Sequence, residues 1–427
     1  MKIENILDMD NLARLIGEGY ILQNSHPTLP LRILNYSHKC MFENRWPYEA
    51  CVCRGLIVDT DGNIVSRPFP KFFNIGQKGP YLVKDSSSPL VPPGYGLRVQ
   101  DEVFDAAFLL RKSEAWKTPI TITRKLDGWL GIVWHYADQW GVASRGSFES
   151  PGAAYATQRF QKFVKYTAVD EIPPGITLLF EIISRETRVV VPYAFEGLVL
   201  LTAVDNGTGE EYLYGDLQAL YRKLNQYAVD QPWCRLVERF DKTVEECMAD
   251  DDMEQEGYVA AVYRKGLPPV RAKVKLAEYC RLHRILTHVT PQKIWAELAY
   301  PMAPWTHHNS RRDWEKDEIK HDMLLPKDFT AWVRRWHGEL ARQFHGRLLL
   351  ALDALTAVGA LVGDTGSKEK EEAAWKAVRG SGRYDADTLR AAGRLAHSKT
   401  AEAYEGLWDL VRPHGRQDSF YADGKGE

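Results

Sequence analysis

Between residues 120 and 276 the chain is cut into short apolar runs separated by turns, and this texture limits the folds open to it. Residues 120–123, 129–135, 140–143, 177–183, 189–191, 198–203, 259–263 and 270–275 read as strands. Residues 153–166 and 216–228 interrupt them with helical spacing. The pattern predicts an α+β domain built on antiparallel sheets. After residue 277 the texture changes to consecutive helices, with Trp332, Trp336, Leu340, Phe344 and Leu348 forming one apolar stripe. Breaks fall at Gly363-Asp364-Thr365-Gly366-Ser367 and at Gly380-Ser381-Gly382, and the tail beyond Arg412 is expected to fray. The predicted division is therefore a domain over 1–276, with an N-terminal accessory segment, and an all-α domain over 277–427.

The accessory segment mixes both periods. Leu7, Leu12, Leu15 and Ile16 suggest a short amphipathic helix, and the stretch from Leu56 to Val65 reads as two strands around Asp61-Gly62. Ser86-Ser87-Ser88-Pro89 and Pro92-Pro93-Gly94 read as loops, and 104–117 as a helix leading into the next strand.

A length of 427 residues allows two or three domains, each with its own core. The formal net charge of -2 supplies no global basic field, so a nucleic-acid partner would be held by a local patch. No apolar run is long enough to span a bilayer, and the acid-bearing N-terminus does not read as a secretory signal. Six scattered cysteines suit free thiols in a reducing, cytoplasmic setting. Cys51-Val52-Cys53 has no second pair to complete a metal site and reads as small residues on a strand.

Against this frame stands Lys125-Leu126-Asp127-Gly128, at the end of a strand-like run. Arg54-Gly55 precedes it, and Arg145-Gly146-Ser147, Phe180-Glu181, Glu256-Gly257-Tyr258-Val259 and Lys273-Val274-Lys275 follow in that order. Taken singly, each is an ordinary turn or solvated strand face, except Glu181, whose burial within Leu178–Ile183 would be costly unless it had partners. Together they are what a nucleotidyl transfer through a covalent lysine adduct requires. The lysine must be neutral to attack a phosphorus, and neighbouring cations and burial are expected to lower its pKa. Lys273 and Lys275, two apart on a strand, point to one face and could flank a phosphate, with Arg54 and Lys71 adding charge. Glu181 and Glu256 suit a divalent cation, and Gly128 and Gly257 let backbone approach a ligand. His307-His308 and the other histidines show no ligand spacing, so no zinc is expected.

These motifs resemble the RNA ligase 1 family, the phage-type branch of the covalent nucleotidyltransferases. Leu34-Asn35-Tyr36, Cys53-Arg54-Gly55, Ser66-Arg67-Pro68 and Lys71-Phe72-Phe73-Asn74 resemble its N-terminal signature. Leu179-Phe180-Glu181 with Thr187-Arg188-Val189-Val190 resembles its third motif, and the segments at 256–259 and 273–275, with Tyr279 beyond, its fourth and fifth. The resemblance covers about 30–285 and implies an antiparallel-sheet nucleotidyltransferase domain. It implies that ATP adenylylates Lys125, with Mg²⁺ or alternatively Mn²⁺ as the metal held by Glu181 and Glu256. Tyr36, Arg54, Lys71, Phe73, Asp127, Gly128, Arg145, Glu181, Glu256, Lys273 and Lys275 would line the nucleotide site, Lys273 and Lys275 acting in catalysis and Phe73 stacking on adenine. The implied partner is RNA with 5′-phosphate and 3′-hydroxyl ends, such as nicked tRNA, with any end-healing kinase or phosphatase a separate protein, since no P-loop occurs.

The chain departs from the family in three places. Arg145 stands where the family has lysine, Leu126 where polar residues also occur, and Trp129 where a small residue is common. Arg145 keeps the charge and is still expected to reach the nucleotide. Helices after Lys275, in place of a β-barrel, favour an RNA ligase over DNA ligases and capping enzymes. Arg334, Arg335, Arg342 and Arg347 could form a phosphate-binding face or an ordinary solvated one. A GTP-using capping-type transferase and an inactive RNA-binding relative are the competing readings.

Overall fold

The computed structural model describes residues 1–77, 105–164, 172–184, 187, 189–191, 193–228, 232–252, 255–288, 349–361 and 367–397. The chain divides into two compact units, Met1–Arg281 and Leu282–Gly426. The tryptophan-bearing stripe at 332–348, the arginines at 334–347, His307-His308, the loops at 86–94, Arg188 and the tail after Arg412 lie outside the described residues.

In the first unit the strands are β1 (Ile21–Ser25), β2 (Leu31–Tyr36), β3 (Arg54–Asp59), β4 (Ile64–Ser66), β5 (Phe73–Asn74), β6 (Thr121–Lys125), β7 (Trp129–Tyr136), β8 (Gln139–Ala143), β9 (Ile176–Ile183), β10 (Gly197–Asp205), β11 (Cys234–Leu236), β12 (Arg239–Phe240), β13 (Gly257–Arg264) and β14 (Leu267–Lys275). They form three sheets, in the orders β1-β2-β3-β4, β11-β10-β9-β7-β8 and β12-β6-β13-β14-β5. All pairings are antiparallel except β10 with β11 and β14 with β5. The unit is α+β, with antiparallel pairing dominant.

Alternation along the strands explains the layering. Leu31, Ile33 and Ile57 of the first sheet pack against Leu130, Ile132, Trp134 and Leu179 of the second. Their neighbours Leu34, Tyr36, Leu56 and Val58 point the other way, onto Leu12 and Leu15 of the helix Met9–Gly17. Asp8 starts that helix by accepting from the backbone N–H groups of Asp10 and Asn11. The far face of the second sheet is closed by Phe160 of the helix Pro151–Val164 and by Leu217, Leu220 and Leu224 of the helix Tyr214–Leu224. β9 therefore carries apolar residues on both faces, which is why Thr177–Ile183 reads as a nearly continuous apolar run.

Two expectations are corrected. Residues 189–191 form no strand, because the Val190 and Val191 N–H groups donate to the Asp127 carboxylate instead of to a ladder. Cys51 lies in the helix Tyr48–Val52, begun by Pro47, and not in a strand. Among the described residues every cysteine is a free thiol.

In the second unit the described residues form helices over 349–361, Lys368–Gly380 and Ala386–His397. Ala351, Ala354, Val358, Trp375 and Val378 are buried, and Asp353 accepts from Arg383 and Tyr384. The helix after Ser367 ends at Gly380, where the glycine-serine break was expected. Among the described residues no helix is long and apolar enough to cross a membrane.

Candidate active site

A cavity of about 670 Å³ in the first unit is walled by all three sheets. Asn35, Tyr36 and Arg54 come from the first, Trp129, Leu130, Glu181 and Leu201 from the second, and Arg124, Lys125, Val259 and Lys273 from the third. Arg145, Gly146 and Ser147 enter from the turn after β8. Of the residues marked in the sequence, Tyr36, Arg54, Lys125, Gly128, Arg145, Glu181 and Lys273 face this space.

Strand register explains the lysine cluster. Gly257 on β13 is paired with Lys125 on β6 and with Lys275 on β14, so the two lysines flank the strand that follows Glu256. Glu256 Oε2 lies 2.6 Å from Lys125 Nζ, and its Oε1 lies 2.8 Å from Lys275 Nζ. Gly257 has φ +141°, and a Cβ there would fall 2.0 Å from the Val274 carbonyl oxygen, so only glycine fits. Gly128 is equally constrained: a Cβ would fall 2.5 Å from the Ile182 oxygen. This close approach lets the Gly128 N–H donate to Glu181 Oε1 at 3.0 Å.

The charges do not titrate as the sequence suggests. Burial would lower the Lys125 pKa, but Glu256 and Glu181 outweigh it and raise the pKa above the ordinary value. Lys125 is stored as an ammonium ion, a correction to the expectation of a lowered pKa. The strongly lowered lysine is Lys273, through burial and then through Lys71, Lys125, Arg54 and Lys275. Burial likewise favours the protonated Glu256, yet Lys125 and Lys275 hold it below its usual range. Burial, with help from Glu256 and Asp127, pushes Glu181 up to about 7 against the opposing pull of Lys125. A carboxyl so poised beside another carboxylate fits a cation. Among the described residues no group of three or more His, Cys, Asp or Glu side chains forms a metal cage. A divalent ion would thus share Glu181 and Glu256 with water or phosphate oxygens.

Asp127, Lys71, Phe73, Glu256 and Lys275, all expected at the nucleotide, do not line the cavity. Asp127 is buried, accepting from Val190 N–H, Val191 N–H and the Tyr279 hydroxyl, while the Tyr193 hydroxyl accepts the Asp127 N–H at 2.8 Å. Asp127 thus ties the Lys125 turn to residues 190–191 and to the helix Ala277–His288. Lys71 Nζ lies 4.9 Å from the Trp46 ring centre, with Tyr36 and Phe73 alongside. Phe73 meets Trp46 edge to face at 5.4 Å, within the core of the first sheet. The aromatic residues that do reach the cavity from this segment are Phe69 and Phe72, with Arg54 above the Phe69 ring and Lys273 above the Phe72 ring. Burial would raise the Tyr36 phenol, but Arg145, Lys71 and Arg54 bring it below its ordinary value, and Arg145 donates to it at 2.7 Å.

Sequence reasoning missed Arg124, Phe69 and Tyr193, and quoted Asn35 and Phe72 within motifs without giving them a place in the site. Arg124 and Phe72 adjoin marked residues and could have been found by strand alternation. Tyr193 carried no signal, because its role depends on where the loop after β9 returns.

The RNA ligase family profile matches residues 52–279, just over half of the chain. The RNA ligase of Rhodothermus phage RM378 is 24% identical over 311 residues, covering 62% of this chain and 66% of that protein. RNA ligase 1 of bacteriophage TS2126 is 30% identical over 169 residues, covering 38% of this chain and 36% of that protein. The chain therefore spans less than two thirds of the length of these relatives. A solved mutant of Naegleria gruberi RNA ligase with ATP and Mn overlaps 42% of this chain and 54% of its own, at 18% identity and a TM-score of 0.33. On the strength of this profile match, which takes in Arg54, Lys125, Arg145, Glu181 and Lys273, the chain belongs to the phage-type RNA ligase family.

Proposed function

We propose that the chain is an ATP-dependent RNA ligase that works through a lysyl-AMP on Lys125. The observation that carries this reading is Lys125 Nζ in the wall of a cavity that also presents Arg54, Arg145 and Lys273. The cations suit a polyphosphate, and the lysine is the one nucleophile of the set placed beside paired carboxylates.

In this reading Lys125 loses its proton to solvent, its Nζ forms a bond to the α-phosphorus of ATP, and the bond to pyrophosphate breaks, the pyrophosphate leaving with its bridging oxygen. The adenylyl group then passes to the 5′-phosphate of RNA, restoring the amine. Attack by a 3′-hydroxyl on that activated phosphate seals the strand and releases AMP. A divalent cation, Mg²⁺ or Mn²⁺, held by Glu181 and Glu256 would supply positive charge against the phosphates. Lys273, whose pKa burial and the surrounding cations lower well below the ordinary value, would have its charged form favoured as phosphate oxygens enter and bind them as a cation. Gly128 N–H keeps Glu181 oriented. Nicked tRNA, separate end-healing enzymes, a cytoplasmic setting and an RNA-selecting helical domain over 277–427 belong to the same proposal.

The test is transfer of label from α-labelled ATP to protein in the presence of Mg²⁺, in parallel with GTP and with Lys125→Ala. Label from ATP alone, absent in the variant, is expected. Label from GTP alone would replace the ligase reading with a capping-type one. Absence of label after pyrophosphate treatment of folded protein would leave only RNA binding.

A further inference from the structure

One side of the cavity has no part in the lysine chemistry. It is built on the first sheet and the short helix His38–Phe42, which contribute Leu22, Asn24, Asn35, His38 and Met41 to the wall. Two separate features there call for a ligand. Asn35 is 9% exposed, yet its Oδ1 is buried and accepts no hydrogen bond. An orphaned acceptor in a cavity wall costs free energy unless a donor arrives. At the rim, Leu22 and Met41 are about half exposed and Phe42 is 87% exposed, an unusual placement for a phenylalanine. Its ring lies 6.5 Å from that of His38, which itself lines the cavity, so the aromatic rim continues the cavity outward.

We infer that this side is the subsite for single-stranded RNA, with Phe42 stacking a base near the reacting end and the Asn35 amide, which must turn to present its buried Oδ1, accepting from a donor of the same strand. The inference rests on the ligase reading and deepens it. RNA is favoured as the occupant because the surface is continuous with a cavity whose wall carries Arg54, Arg124, Lys125, Arg145 and Lys273. A backbone held by such cations leaves its bases free to stack on an exposed ring. Asn24 Nδ2 also donates to the Gly146 oxygen at 2.6 Å, so this side is fixed to the turn that carries Arg145.

The test measures binding of a short, 5′-phosphorylated, fluorescent single-stranded RNA to the whole chain by anisotropy. Labelling from ATP, in which Phe42 has no part, is followed alongside. Phe42→Ala is expected to weaken binding by roughly tenfold to a hundredfold, Phe42→Trp to restore it, and both to label as the unaltered chain does. Placing an abasic nucleotide at successive positions should find one at which Phe42→Ala no longer matters. Unchanged RNA binding in Phe42→Ala, with normal labelling, overturns the subsite and leaves the ligase reading standing. Unchanged RNA binding accompanied by lost self-association in sedimentation assigns the rim to a second copy and also overturns it. Failure of the unaltered chain to label and to bind RNA removes both.

Discussion

At the scale of single residues the site is defined by which group holds which proton. Lys125 is an ammonium because Glu256 lies 2.6 Å away, so removing that charge should free the amine. Glu256→Gln is expected to react faster than the unaltered chain at Lys125 with acetic anhydride near pH 8, read by peptide mass spectrometry. Its labelling by ATP should nevertheless fall by about a hundredfold, because on the proposed reading a divalent cation would lose one of its two carboxylates. Slower acetylation would contradict the assigned pairing. Glu181 makes the complementary case. Its carboxyl, raised to about 7, is mostly neutral below that pH and ionised above it. Binding of Mn²⁺, followed by calorimetry, should strengthen as pH rises from 6 to 8 and release protons, and Glu181→Gln should flatten that dependence. For stability the sign is opposite: a folded pKa above the unfolded one means that stability falls as pH rises from about 4.5 to about 7.

At the scale of elements, turns and register decide where those groups stand. Gly257→Ala would force a Cβ against the Val274 oxygen at φ +141°, on the strand that separates Lys125 from Lys275. A loss of roughly 2–4 kcal/mol, seen as a lower Tm, is expected. Tyr279→Phe removes one bond to buried Asp127 and should cost about 1.5–3 kcal/mol, with little change where Tyr279 is replaced in an Asp127→Asn background. The legible parts of the fold were those with a local signal. β7, β9, β10, β13 and β14 announced themselves by apolar runs, and the lysines by their spacing. Short strands such as β5 and β12 exist only because a neighbour offers a ladder, so no local pattern marks them. Residues 189–191 show the converse, a β-branched triplet of which the Val190 and Val191 N–H groups were claimed by a distant carboxylate. Phe73 failed for a similar reason. Lys-Phe-Phe offers two adjacent rings on opposite faces, and only tertiary packing decides that Phe72 meets the cavity while Phe73 meets Trp46.

At the scale of the whole molecule, a net charge of -2 means that affinity for RNA must be concentrated where cations are. Among the described residues the cavity wall offers five, Arg54, Arg124, Lys125, Arg145 and Lys273. If these make all the phosphate contacts, log K for single-stranded RNA should fall with log salt at a slope no steeper than about -3.5. A steeper slope, measured by titration across salt concentrations, would assign further phosphate contacts to other parts of the chain. The cavity's construction from three sheets has a mechanical consequence as well. Although the first and second sheets share a core, each sheet has edges that can open locally, and a nucleotide gripped from all three would act as a clamp across them. Occupancy should therefore merge otherwise separate openings into one event, visible as a simultaneous slowing of hydrogen exchange in β3, β9 and β14. A partly opened chain would lose its grip on substrate altogether, so that catalytic competence and integrity of the assembled sheets become one property.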